Sequence, residues 1–146
     1  MARAQQLCTF YLNGHCFGIE VEKVQEVLRH QEMTRVPLAP EIVHGLINLR
    51  GRIVTALDLR RRLGLPARTA GSPPMNVVVR SGDEAVSLLV DRIGDVLEVE
   101  ESTFERPPDT LTGPARDLIL GAHKLDGLLL LVLDTERALN PANEGK

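Results

Sequence analysis

Apolar and polar residues alternate with period two in many short runs, and turn residues break each run. The first two runs flank Asn13-Gly14. Asn-Gly is the strongest short hairpin signal, because both turn residues take positive φ. With that loop, Leu12 pairs with His15 and Tyr11 with Cys16. Cys8, Phe10, Leu12, Phe17, Ile19 and Val21 then share one apolar face, the core side, while Cys16 points the other way beside Tyr11. From Val21 to Arg29 the period changes. Val21, Val24, Val27 and Leu28 recur at helical spacing, which predicts a short amphipathic helix with Glu22, Lys23, Gln25 and Glu26 on its other sides. Pro37 and Pro40 mark an extended connection.

A second hairpin follows, Gly45 to Arg50 and Ile53 to Asp58 around Gly51-Arg52. Gly-X suits a type II′ loop, and that register pairs Arg50 with Ile53 and Asn48 with Thr55. Ile47, Leu49, Val54 and Ala56 fall on one face, and Leu46, Ile53 and Leu57 on the other. A hairpin apolar on both faces is packed on both, or meets a partner. Leu59 to Leu63 reads as a helical turn stopped by Gly64 and Pro66, and Ala67 to Pro74 as a loop. Strands resume at Met75–Arg80 and Glu84–Val90 around Ser81-Gly82-Asp83, then at Asp95–Glu100. Glu105 to Ala115, with Pro107, Pro108, Gly113 and Pro114, reads as a long surface loop. Ile119–Leu125 and Leu128–Asp134 flank Asp126-Gly127, a type I′ signal, and the Leu-rich second arm predicts a strand buried on both faces. Asp134 or Thr135 caps a last short helix through Leu139. Many short strands with regular turns argue for an all-β barrel or pair of barrels, not a βαβ sheet. Two rough halves lie either side of 67–74, with no long sequence repeat.

Composition narrows the function. The chain has 146 residues, 43% hydrophobic and 25% charged, which suits a globular fold rather than disorder. The longest apolar run, Leu128 to Leu133, is far short of the ~20 residues that span a bilayer. The N-terminus has no signal-peptide apolar stretch, so a cytoplasmic location is expected. A net charge of −3 and 3% aromatics, with no Trp, argue against nucleic-acid binding. Cys8 and Cys16 point to opposite faces and lack ligand spacing. His15, His30, His44 and His123 are scattered, and each reads as a surface or hydrogen-bonding residue. No phosphate loop, nucleophile elbow or His-Glu-x-x-His is present. Glu100-Glu101 and Asp91 with Asp95 read as solvated strand ends, and Arg60-Arg61-Arg62 as a solvated face. No catalytic residue, metal site or cofactor is expected. An enzyme or ligand-binding module would need a polar pocket around His44 or His123.

The run Gly45-Leu46-Ile47-Asn48-Leu49-Arg50-Gly51-Arg52-Ile53-Val54, followed by Leu57-Asp58-Leu59-Arg60, resembles the signature of the CheW family of bacterial chemosensory coupling proteins. The first hairpin, the Val21–Leu28 segment with Glu26, Pro37, the Val86–Asp91 strand and the closing Leu128–Asp134 strand also fall where that family has them. The resemblance covers about residues 5–140. It implies two small five-stranded SH3-like β-barrel subdomains, roughly 15–66 and 75–125, around a shared hydrophobic core. The N-terminal strand and the C-terminal strand and helix would complete them within one domain, 1–146. It implies a non-catalytic adaptor, monomeric in isolation, that joins chemoreceptor cytoplasmic tips to the C-terminal regulatory domain of a CheA-type histidine kinase. That places it in the cytoplasm, recruited to membrane-associated receptor arrays, without inserting into the membrane. Glu26 and Arg50 match a family acid–arginine pair tied to binding, either by direct contact or by orienting the hairpin. Val24 and Gly45 match positions implicated in receptor coupling, with Asn48 and Arg50 alongside; Met33 and Ile53 are candidates for a kinase-facing apolar patch. Asn48 and Gly51 also fix the hairpin itself. Thr55 stands where the family often has Pro, and unlike Pro it can donate a ladder hydrogen bond.

Overall fold

A computed structural model describes residues 4–68, 71 and 73–139. Thr69, Ala70 and Ser72 of the predicted 67–74 loop lie outside the described residues. The strands are β1 (Ala4–Leu12), β2 (His15–Glu20), β3 (Val24–Leu28), β4 (Val43–Leu49), β5 (Arg52–Asp58), β6 (Met75–Ser81), β7 (Glu84–Val90), β8 (Arg92–Glu100), β9 (Phe104–Glu105), β10 (Ile119–Leu125) and β11 (Leu128–Leu133). Short helices α1 (Leu59–Arg62), α2 (Pro114–Leu118) and α3 (Thr135–Ala138) punctuate them. The expected all-β class holds.

The first hairpin forms in the predicted register, with Leu12 opposite His15 and Tyr11 opposite Cys16. Asn13 and Gly14 both take positive φ, 51° and 82°. The predicted helix after it does not form. Val21–Lys23 is a single 3₁₀ turn and Val24–Leu28 is strand β3, paired with β6. A β-bulge between Val24 and Glu26 adds one residue to β3. Val24 and Val27 therefore face the same side three positions apart, and an amphipathic strand imitates a helical spacing. The second hairpin is also one residue out of its predicted register. Leu49 pairs with Arg52 and Asn48 with Ile53, so the loop is Arg50-Gly51. Both loop residues have positive φ, 51° and 87°, the signature of a type I′ turn. At Asp126-Gly127 only Gly127 has positive φ, so that loop is not type I′.

The strands form a six-stranded sheet, β8-β1-β2-β11-β10-β9, and a five-stranded sheet, β3-β6-β7-β5-β4. The 67–74 loop joins two elements of the five-stranded sheet rather than separating the sheets. Three apolar clusters layer the molecule. The central one lies between the sheets and takes Phe10, Phe17 and Leu131 from one and Leu57, Val77 and Leu88 from the other. The five-stranded sheet buries Ile47, Leu49, Val54, Ala56, Val78 and Leu89 on its far side. The six-stranded sheet buries Leu7, Cys16, Val99, Leu130 and Val132 on its own far side. Leu130 to Leu133 thus feed two clusters from alternate faces, as predicted for this arm, and only Leu129 near its start is exposed.

The two sheets repeat one plan. In each, a tight hairpin runs antiparallel beside an edge strand and parallel to the second arm of another hairpin (β8-β1-β2-β11-β10 and β3-β6-β7-β5-β4). Registers match in detail: Val43 opposite Leu57 and Gly45 opposite Ala56, against Ile119 opposite Leu133 and Gly121 opposite Val132, with a bulge at the same step. Asp58 caps α1 and donates its N–H to Ile42 O at 2.7 Å; Asp134 caps α3 and donates to Leu118 O at 2.7 Å. The first half of the chain supplies β1–β5 and the second β6–β11, yet each half lends its first hairpin to the other's sheet. The ends of each sheet also approach each other alike. Beyond β3, Thr34 bridges Leu46 on β4, and beyond β8 a 3₁₀ turn (Glu101–Thr103) leads into β9 on β10.

Candidate functional site

The signature residues gather where the five-stranded sheet meets its own end. Glu26 lies on β3, the first strand of that sheet, and Arg50 in the turn that leaves β4, the last. Their side chains form an ion pair, so it spans the two ends of the sheet. Arg50 is 69% exposed and Glu26 22%, and exposed pairs of this kind contribute ~0–1 kcal/mol. The value of the pair is therefore geometric: it holds a guanidinium above a left-handed turn that a non-glycine residue enters at some cost. Asn48 fixes the same turn, its Oδ1 accepting from Gly51 N–H at 2.9 Å. Ile53, paired with Asn48, is 65% exposed.

Gly45 and Met33 meet on the other side of β4. Thr34 and Leu46 exchange two backbone hydrogen bonds, 2.9 and 2.8 Å, which press the 33–34 segment onto the strand. A Cβ at Gly45 would stand 2.8 Å from Thr34 O and 3.1 Å from Met33 Cβ. Gly45 thus has a packing reason to be glycine. Met33 is half-buried against the Ile47 and Leu49 cluster, so only part of it faces outward. Val24 is half-buried, pairs with Val79 and packs on the inter-sheet core. Thr55 sits inside the sheet, paired with Leu46 on one side and Val86 on the other, where a proline would break a ladder. The structure therefore gathers Glu26, Asn48, Arg50 and Ile53 around one turn, sets Gly45 and Met33 beside it along β4, and leaves Val24 at the inter-sheet seam.

Two readings of charged residues are corrected. Asp91 is not a solvated strand end. It accepts from Arg60 Nε at 2.9 Å and Nη2 at 2.6 Å, from Arg68 Nη2 at 3.2 Å and from Asn13 N–H at 2.8 Å. Burial alone would raise its carboxyl, but the bonds from Arg60 and Asn13 and the charges of Arg60 and Arg68 outweigh it and hold the group at about 2. One carboxylate thereby ties the β1–β2 turn to α1 and the following loop. The Arg60-Arg61-Arg62 run is not one solvated face either. Arg62 is buried and donates to Arg137 O at 2.8 Å and Ala138 O at 3.4 Å, closing the end of α3. Arg61 alone stays outside, paired with Glu41 and Asp58. The sequence signal for this network was slight: an acid ending an apolar strand and an arginine 31 positions before it.

The histidines divide. His44 is exposed on an open depression lined by His30, Glu32, Met33, Thr34 and Asn48. His123 is a buried residue, not a surface one, with Thr103 Oγ1 2.8 Å from its Nδ1. Cys8 and Cys16 are free and buried on opposite faces of the first hairpin, and burial pushes both thiols up. Among the described residues no group of three His, Cys, Asp or Glu is placed to hold a metal ion. Among the described residues no helix is long and apolar enough to cross a membrane.

Comparison with known proteins follows the same outline. A family model described as CheW-like domain matches residues 6–142. The chain is 30% identical over 136 residues to a chemotaxis protein CheW of Treponema pallidum, covering 90% of this chain and 80% of that protein. It is 30% identical over 136 residues to a chemotaxis protein CheW of Bacillus subtilis, covering 93% and 87%. Among solved structures, the scaffolding protein TtCheW of Thermoanaerobacter tengcongensis matches with a TM-score of 0.80 at 27% identity, covering 90% of this chain and 89% of that one.

Proposed function

The chain belongs to the CheW-like domain family, and from that premise we propose that it is a non-catalytic adaptor joining chemoreceptor cytoplasmic tips to a CheA-type histidine kinase. The observation that supports this reading best is the Glu26–Arg50 pair, which presents an exposed guanidinium beside the exposed Ile53 on a rigid turn. Receptor tips contact Val24, Gly45, Asn48 and Arg50. The kinase's C-terminal regulatory domain contacts Met33 and Ile53. The adaptor is a monomer in isolation, works in the cytoplasm and is recruited to membrane-associated receptor arrays. It acts by differential contacts, so that receptor state shifts the kinase between conformers without any bond being made.

Co-sedimentation with receptor-tip fragments and with the kinase's C-terminal domain tests the proposal. Binding to both at micromolar concentrations is expected; no binding to either at tens of micromolar would sink it. A charge exchange, Glu26→Arg with Arg50→Glu, then separates contact from geometry. If Arg50 touches a partner, the exchange rebuilds the pair yet leaves binding lost. If the pair only orients the turn, binding returns.

A further inference from the structure

We infer that His123, Thr103 and Phe104 form a proton-sensitive latch holding the two-residue strand β9 on the edge of the six-stranded sheet. β9 is the last strand of that sheet and pairs with β10 through two residues only, Glu105 opposite Ala122 and Phe104 opposite His123. Two backbone partners are too few to hold an edge alone, so side chains must do it. Phe104 lies over the end of the sheet with its ring 5.4 Å from the His123 ring, and it is still 45% exposed. Gly121 makes room for it, since a Cβ there would collide with the Phe104 ring and with Glu105 O. His123 is 1% exposed.

The hydrogen bonds assign the proton. Thr103 has a single hydroxyl hydrogen and donates it to Glu100 O at 2.9 Å. Its Oγ1 must then accept from His123 Nδ1–H, which leaves the lone pair on Nε2. Protonation at Nε2 would place a full charge on a ring that is almost wholly buried. The charged side chains on the surrounding elements do not offset it. Glu100 is engaged with Ser102 at 3.3 Å and Glu105 with Lys124 at 3.6 Å; Glu101 lies exposed on the 3₁₀ turn. β11 offers Leu130 opposite the ring, and none of these acids forms an ion pair with His123 among the described residues. Burial accordingly holds the imidazole below its ordinary range. Ile47 occupies the matching place in the five-stranded sheet, under Met33, so the repeat contains its own uncharged control.

The latch is released when the lifted strand lets His123 regain its ordinary pKa near 6.5. Opening should then grow roughly tenfold for each pH unit below that value, until the pH reaches the closed-state pKa. Hydrogen exchange of the full chain between pH 7.5 and 5, corrected for intrinsic rates, reads this directly. Protection at 103–105 and 120–123 should fall with pH while the β1–β2 segment stays constant. Substituting His123 separates its contribution from that of the nearby carboxyls. His123→Ile, copying the other sheet, should make the profile flat, and His123→Gln does the same if the isoleucine variant folds poorly. A flat wild-type profile, or the same slope in the substituted proteins, overturns the latch.

Discussion

The two sheets share a backbone plan and close it with opposite chemistry. In the five-stranded sheet an acid on the edge strand and an arginine in the hairpin turn reach each other, Glu26 to Arg50. The matching positions of the six-stranded sheet carry Asp95 and Asp126, two acids that cannot pair. There the end of the sheet is covered by Phe104 on a buried histidine; the first sheet has Met33 above Ile47. What both require is steric. Gly45 and Gly121 stand at equivalent bulges, each pressed by a crossing backbone segment. The comparison separates residues that the fold needs twice from those it needs once. The latter, Glu26, Arg50 and Asn48 on one side and His123 on the other, are where function has room to differ.

A charge in either core should do the most damage. Leu130→Asp, and Val54→Asp at the matching place, should each abolish cooperative melting, because a buried unpaired carboxylate costs more than most domains can spare. A folded Leu130→Asp protein would refute the two-faced burial of β11. Next come the paired glycines. Ala at either should lower stability by about 2–3 kcal/mol in urea melts, and more at 121, where both a ring and a carbonyl are in the way. Equal, negligible losses would show that the crossing segments yield. Among the described residues the Asp91 network has no matching ion pair in the other half. Its folded pKa is depressed, so its stabilisation is complete above the unfolded value near 4 and is lost as pH falls towards about 2. Asp91→Asn should cost about 2 kcal/mol at pH 6 and nearly nothing at pH 2 in denaturant titrations. Arg50→Ala should cost at most about 1 kcal/mol of stability while weakening partner binding. A drop in melting by many degrees with unchanged binding per folded molecule would make the residue structural. The gentlest change, Ile53→Ser, should leave melting within about 0.5 kcal/mol and reduce only the association of an apolar partner.

Much of this was legible in one dimension. Asn13-Gly14 set the first hairpin and its faces, and Asp134 marked the last helix. The β3 segment misled because a bulge made two same-face valines three residues apart, a distinction that pattern alone does not carry. The Arg50-Gly51 loop misled for another reason. Gly51-Arg52 reads as a type II′ loop with glycine first, but the turn is type I′ with glycine second, and Glu26, distant in sequence, supports the arginine ahead of it. The repeat is easy to miss because several matched positions differ in chemistry, Ile47 with His123, Asn48 with Lys124 and Arg50 with Asp126, and the identities, such as Gly45 with Gly121 and Leu57-Asp58 with Leu133-Asp134, are short and scattered. The Asp91 bonds join residues that only the crossing of the two sheets brings together.

The exchanged hairpins bear on how the protein is made. Synthesis delivers β1 and β2 first, yet their sheet neighbours are β8 and β11. Until those emerge from the ribosome, the hairpin holds one apolar face for the central core and another for a sheet that does not yet exist. Contacts this distant in sequence form slowly and leave strand edges open meanwhile. Two chains growing side by side on one messenger could satisfy each other's hairpins as well as their own. Distance between nascent chains then matters to correct strand pairing as much as the core does.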